Sequence, residues 1–294
     1  MSRFKTLLQR EWMQHHRGWL IVMAAPALII LLVLVFADKS HITPHEPAPI
    51  MIGVTMAVTA LTFLITCGIV FLQAPGMARR DQQDRSIEFW VSLPVAHSQS
   101  IGATVLMQLL LVPLLGLGIG FLASQLVGFV AVTLVSGPAG LVAVPWSAVL
   151  AGGLLTVLRV AFGVLLASLW WMPVVLLAMV ASAWLKRWGV PALIAAVVAG
   201  HVVLAKAYGI TVIGDTLGKL WINTWMSLIY GDPSSHLERQ FQAAMQGGDW
   251  PLTPQFLAHD ALAAVGNLAQ PLLVFALLTS AACFALLVLR RSRA

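Results

Sequence analysis

The sequence predicts an all-α integral membrane protein with six transmembrane helices, an N-terminal interfacial helix, a cytoplasmic helix between spans two and three, and a small helical cap on the outer face. Three observations carry that prediction. Of 294 residues, 60 % are apolar and only 10 % charged, against roughly 45–50 % and about 25 % in soluble globular domains. Uncharged apolar runs recur along the chain, and about 20 residues of helix cross a hydrocarbon core about 30 Å thick. The Lys and Arg residues fall mostly on one side of those runs, the bias that sets orientation in a bilayer.

The elements follow in order. In SRFKTLLQREWM, Phe4, Leu7, Leu8 and Trp12 recur at helical spacing with Lys5 and Arg10 off that face. This is the pattern of a helix lying in the headgroup plane, expected over 1–17. The first span is 18–37. Its apolar run exceeds the 7–15 residues of a signal-peptide core and Glu11 interrupts the basic leader, so it is expected to be permanent. The loop 38–49 carries three prolines and reads as a connector. Its His41, His45 and Glu46 lack the H-E-x-x-H spacing of a metal pair, so no metal site is expected.

The second span is about 50–73 and the third starts near 100 and stays apolar to 135, with Gly116 and Gly120 as a G-x-x-x-G pair for close helix packing. Residues 141–185 are too long for one ordinary span. They divide into an interfacial or re-entrant helix over 145–158 and a crossing over 160–184, which sets Trp170 and Trp171 at mid-span, an unusual depth for tryptophan. The fifth span is about 190–213. The outer helical region, 215–269, opens with a stripe of Leu217, Leu220, Trp221, Trp225 and Leu228. A capping box at Ser235 and Glu238 starts a helix through Met245, Thr253-Pro254 starts another, and Gly266 separates it from the sixth span, about 270–289.

With both termini inside, twelve basic residues are cytoplasmic: Arg3, Lys5, Arg10, Arg17, Arg79, Arg80, Arg85, Lys186, Arg187, Arg290, Arg291 and Arg293. Lys39, Lys219 and Arg239 lie outside, and Arg159 and Lys206 lie in or near spans. This asymmetry accounts for the net charge of +6 without a nucleic-acid partner. Cys67 and Cys283 fall inside apolar spans, where a small polarizable side chain packs well, and imply neither a disulfide framework nor a metal site.

Chain chemistry is sparse. GDTLGK at 214–219 is one residue short of G-x-x-x-x-G-K-[ST] and has Leu220 where a phosphate loop needs a hydroxyl, so it binds no nucleotide. No G-x-S-x-G, H-E-x-x-H or C-x-x-C motif is present, so an enzyme acting alone is not expected. Charged residues inside membranes are functional candidates by default. Arg159, His201 and Lys206 are therefore candidates for a substrate pathway, against the alternative that the long stems snorkel to the interface. His201 and Lys206 are five residues apart, about 140° around a helix, and do not share a face.

The most informative stretch is RRDQQDRSIEFWVSLPVAHS, 79–98, which holds Arg79, Arg80, Asp81, Asp84, Arg85 and Glu88 between two apolar runs. Asp81 and Asp84 suit the first turns of a helix and Pro94 stops it. Ile87, Trp90 and Val91 share one face. An inert interfacial helix favours Lys and Arg on its polar side; mixed charge suits insertion into a groove on a soluble partner.

The stretch DQQDRSIEFWVSLPVAHSQSI resembles the segment after the second span in permease subunits of the type-2 class of ABC exporters, where it forms the coupling helix. Asp81 takes the early acidic position, Ser86-Ile87-Glu88 the central triplet and Pro94 the terminating proline. The lysine that family members often carry shortly afterwards has no counterpart in 100–103. The N-terminal amphipathic helix, six spans and long last outer loop are also similar to this family. The resemblance implies a single permease domain over 1–294, with 79–94 as coupling helix and Asp81, Asp84, Arg85, Ile87, Glu88, Trp90 and Val91 contacting the ATPase. It implies two cytoplasmic ATPase subunits that bind ATP and Mg, no cofactor on this chain, a second permease copy or homologue among membrane lipids, and a bacterial inner membrane. The alternative is a non-transporting scaffold that anchors a cytoplasmic partner or an outer-face assembly.

Overall fold

The structure, a computed structural model, describes residues 3–36, 46–83, 96–229 and 250–292. Among the described residues all regular structure is helical. In chain order the helices are α1 (Arg3–Phe36), α2 (Pro47–Gln83), α3 (His97–Leu106), α4 (Val112–Ala143), α5 (Trp146–Leu185), α6 (Gly189–Tyr208), α7 (Val212–Leu228), α8 (Pro254–Gly266) and α9 (Pro271–Ser292). Five helical stretches are long and apolar enough to cross a membrane: Phe4–Phe36, Pro47–Met77, His97–Ala143, Trp146–Tyr208 and Pro271–Ser292. Large apolar side chains such as Leu32, Leu122, Val274 and Leu278 are exposed on their outer faces, as a lipid solvent allows and water does not.

The helix bundle packs antiparallel. Ala74, Ile101, Met179, Ala183, Cys283 and Leu287 form one buried cluster, which joins the end of α2, the start of α3, the end of α5 and the end of α9. Near that same end, Trp19 of α1 donates through Nε1 to Gln73 Oε1 at 3.1 Å. The helix ends bearing Arg10, Arg17, Lys186, Arg187, Arg290 and Arg291 are thereby gathered together. Met51, Val132 and Val149 pack at the opposite end.

The most extensive helix contact among the described residues is between α2 and α4. Gly116, Gly120, Ser124 and Gly128 make a stripe at every fourth residue of α4, and a row of threonines on α2 lies against it. A Cβ at Gly116 would sit 2.5 Å from Thr66 Oγ1, one at Gly120 3.0 Å from Thr62 Cβ, and one at Gly128 would overlap Met51. Thr59 Oγ1 donates to Ser124 Oγ at 3.4 Å. Small residues let membrane helices approach to backbone distance, and hydroxyls then bond within or across the contact. The sequence pattern identifies only the 116/120 pair; the structure extends the stripe to Gly128 and leaves Gly118 outside it, where a Cβ would meet nothing within 4 Å.

Four expected elements differ. The separate interfacial helix over 1–17 is instead the first half of α1, which runs unbroken from Arg3 to Phe36. Gly18 at the junction costs a helix only about 1 kcal/mol relative to Ala, too little to end it there, and α1 continues even through Pro26. The re-entrant helix over 145–158 is likewise continuous with the fourth crossing in α5, Trp146–Leu185. Its Gly152-Gly153 pair is a seat for rings: a Cβ at Gly152 would overlap Trp250, and one at Gly153 would lie 2.7 Å from Phe121. The fifth apolar run stops at Tyr208, because Gly209 at φ 67° closes α6 with bonds from Gly209 N to Ala205 O and Ile210 N to Leu204 O, a left-handed cap.

The fourth difference is α7, which is inside-out. Its tryptophan stripe, with Trp221 and Trp225, is exposed, and its buried face is Asn223, Thr224 and Ser227. The small polar face fits close against α5, where a Cβ at Gly163 would strike the Ser227 carbonyl. Asn223 Nδ2 donates to Gln270 Oε1 at 2.9 Å. Polar contacts inside and apolar rings outside are the arrangement for helices in lipid, so α7 belongs to the bundle rather than to a soluble cap. Thr253 caps α8 as its sequence predicts, its hydroxyl accepting from Phe256 N at 3.2 Å. The helix from Ser235 to Met245 lies outside the described residues.

The α2–α4 contact predicts an asymmetry between neighbouring glycines. Gly120→Leu overpacks the contact and lowers stability by about 1–3 kcal/mol, whereas Gly118→Leu leaves it nearly unchanged. Thermal unfolding of the detergent-purified variants, followed by fluorescence, distinguishes the two.

Candidate functional site

Two adjoining cavities open between α2 and α5. The larger, about 510 Å³, is bounded by α2, α4 and its preceding turn, α5 and α7; the smaller, about 330 Å³, lies along the same helices and shares Phe63, Leu64, Trp225 and Leu228 with it. Volumes of about 300–1,000 Å³ with apolar linings are typical of small-molecule sites. Both here are lined almost wholly by apolar side chains, with no Asp, Glu, Lys or Arg among the described lining residues.

The larger cavity is built from aromatic rings on three helices. Trp171 of α5 meets Phe71 of α2 edge-on at 4.8 Å between centroids, and Trp221 of α7 edge-on at 5.8 Å. Trp221 in turn meets Trp225 at 5.6 Å. Each such pair contributes about 0.5–1.5 kcal/mol beyond the area it buries, so the relay ties α2, α5 and α7 around the opening. This explains the tryptophans at mid-span: Trp170 is fully buried in the bundle, and Trp171 forms the cavity wall. Gln108 enters from a π-helical turn, Met107–Leu111, that precedes Pro113. A wider turn relieves the clash between a helical proline and the carbonyl four residues before it.

Beside the smaller cavity stands a buried ion pair. Arg159 Nη2 lies 2.7 Å from Asp260 Oδ2, and the two side chains are 3 % and 2 % exposed. Arg159 also donates through Nη1 to the carbonyls of Ser227 at 3.1 Å and Leu228 at 3.2 Å, and through Nη2 to the Asp260 carbonyl at 3.3 Å. One guanidinium thus joins α5, the carbonyl end of α7, and α8. Trp250 completes the attachment, donating to Thr156 Oγ1 at 2.9 Å from its seat over Gly152. Arg159 is one of three pathway candidates; both of its terminal nitrogens hold α7 and α8 on α5, next to the cavity rather than in it.

The other two candidates lie elsewhere. His201 is half-buried on α6, with its ring 2.7 Å from where a Cβ at Gly214 would stand. Lys206 is exposed in the last turn of α6, where a cation complements the helix dipole. Arg159, His201 and Lys206 therefore do not form one site. Asp81 falls in the final turns of α2, which continues to Gln83 because MARRDQQ contains no helix breaker. Asp84, Arg85, Ile87, Glu88, Trp90 and Val91 lie outside the described residues. Among the described residues no group of three or more His, Cys, Asp or Glu side chains is placed to hold a metal.

Sequence reading misses Asp260 and Gln108. A single carboxylate in the apolar run FLAHDALAAVG is a signal for a buried partner, and Arg159 was the available cation. Gln108 in MQLLLVP carries no such signal, because its placement depends on the π turn. Compared with protein-family models, curated proteins and solved structures, the chain matches none.

The ion pair predicts strong non-additivity. Asp260→Leu or Arg159→Met alone lowers stability by about 3–5 kcal/mol, because each strands a buried charge. The double variant Arg159→Met/Asp260→Leu recovers part of that loss but not all, since the Ser227 and Leu228 carbonyls lose their donor. A double-mutant cycle on thermal unfolding measures the coupling.

Proposed function

We propose that this chain is the membrane-spanning permease subunit of an ATP-driven ABC exporter, in which hydrolysis by a separate ATPase moves substrate across the membrane. The observation that carries the reading is the attachment to α2 of the amphipathic, mixed-charge stretch 79–94, whose first residues close α2 at Gln83 so that 84–94 follows it directly, while the body of α2 lines both cavities. At 37 residues, α2 is about 55 Å long at 1.5 Å per residue, well beyond the membrane core of about 30 Å. A push on segment 84–94 by a docked ATPase therefore displaces the wall of the cavities, a rigid-body transmission. The similarity of 81–94 to the coupling segment of type-2 permeases supports the same assignment.

In this reading the chain crosses a bacterial inner membrane six times with both termini cytoplasmic. The longest apolar stretch supports the count: Trp146–Tyr208 turns sharply at Lys186–Trp188, with Lys186 at φ 53°. Gly189 there rests on the backbone of Ala181 and Ser182, so closely that a Cβ would lie 2.5 Å from Ser182 Cα. α5 and α6 are then separate crossings joined by a basic cytoplasmic turn. Two ATPase subunits, which bind the ATP and Mg, and a second permease copy or homologue complete the transporter.

Co-expression with the ATP-binding protein encoded nearest to this chain, followed by purification in detergent, tests the proposal. The ATPase is expected to co-purify and hydrolyse ATP with the wild type, and to be lost with Trp90→Glu or Ile87→Glu while the membrane subunit stays folded. Failure of any ATPase to associate with the intact wild type rejects the exporter and favours the scaffold.

A further inference from the structure

The larger cavity contains one feature that an inert gap between helices does not explain. Gln108 is 2 % exposed and lines the cavity. Its amide Nε2 lies 2.9 Å from Met77 Sδ, and its Oε1 has no partner among the described residues. A thioether is a weak acceptor, and a buried amide oxygen without a donor is costly. The other hydroxyls of the lining have spent their hydrogens: Ser168 Oγ donates to the Leu165 carbonyl and Thr224 Oγ1 to the Leu220 carbonyl, each at 2.7 Å. The cavity therefore presents an acceptor in an apolar, ring-walled space, and the residue that presents it is held by a π turn, a feature frequent at functional sites.

From this we infer that the larger cavity binds a neutral amphiphile, an apolar body with one hydroxyl or N–H group that donates to Gln108 Oε1. Neutrality follows from the absence of any charged lining residue, because an unpaired charge is not tolerated at such a site. The apolar body lies among Phe63, Phe71, Trp171 and Trp221, and its volume is limited by the 510 Å³ of the cavity. Entry is lateral: Leu64, Phe71, Leu72, Trp221 and Trp225 on the rim are exposed on the apolar outer surface of the bundle, so the ligand arrives from hydrocarbon rather than from water. The inference stands apart from the transport reading and names the ligand chemistry of its cavity.

The test uses the full chain purified in detergent and two heavy-atom quenchers of indole fluorescence, an ω-bromodecanol and its O-methyl ether, which lacks the donor. Saturable quenching is expected, with the alcohol about tenfold tighter than the ether, the worth of one hydrogen bond. Gln108→Leu should bring that ratio to about one, and Trp221→Phe should reduce the quenching amplitude while the ratio persists. Equal affinities in the wild type overturn the inference, as does quenching that rises without saturation. Absence of quenching by either compound, as when a second copy closes the cleft, overturns it too. If Gln108→Leu does not fold, the wild-type ratio decides. No ATPase takes part, so this result and the co-purification result fail independently.

Discussion

The contact between α2 and α4 is the constraint on which the rest of the molecule depends. Small residues at every fourth position of α4 accept α2 closely, with Thr66 against Gly116, Thr59 and Thr62 against Gly120 and Met51 against Gly128. Such contacts substitute in lipid for the hydrophobic drive that water supplies elsewhere. The consequence is mechanical. The two helices form one body, α3 and the π turn are attached to it in sequence, and the opposing body of α5, α7 and α8 packs against it at both ends, through Ala74, Ile101 and Met179 at one and Met51, Val132 and Val149 at the other, leaving a cleft between. The two cavities are the parts of that cleft not filled by side chains.

The second body is held by different physics. Arg159 satisfies a carboxylate and three carbonyls at once, which fixes the carbonyl end of α7 against α5 at a point where water is excluded. Such a pair adds little net stability over well-packed apolar residues but fixes register, since any displacement of α7 or α8 strands the guanidinium. The inside-out burial of α7 follows from the same anchoring: with Ser227 and Leu228 held by Arg159, the polar side of α7 turns inward and Trp221 and Trp225 turn to the cleft mouth.

Much of this architecture was legible in the sequence because it rests on local signals. Hydropathy placed the long helices, the basic residues foretold that α1, α2, α5 and α9 would bring their charged ends together, and Thr253-Pro254 marked the start of α8. What was not legible depended on partners distant in sequence. The run 141–185 is too long for one ordinary span and reads as two helices divided near 159, until Trp250, about a hundred residues on from Gly152, is seen to pack on the first part of a single helix. The stripe on α7 reads as a buried face in water and as a lipid face in a membrane, and the periodicity is the same for both. Arg159 was visible as a buried cation, but its role depended on Asp260 and on carbonyls that carry no sequence signature. Gln108 reached the cavity through a π turn, a distortion of one residue that patterns of 3.6 do not register.

The central claim of the proposed exporter function is that α2 and α4 would move together against α5 when an ATPase docks on the segment that follows α2. Spin labels at Leu61 on α2 and Leu154 on α5 report the cleft, and labels at Leu61 and Leu122 on α4 report the contact; all three side chains are exposed. With Cys67 and Cys283 replaced, pulsed electron–electron distances are compared between nucleotide-free and ATP-trapped complexes. The account predicts a shifted distance between 61 and 154 with the distance between 61 and 122 unchanged. An unmoved cleft, or separation of α2 from α4, would contradict it.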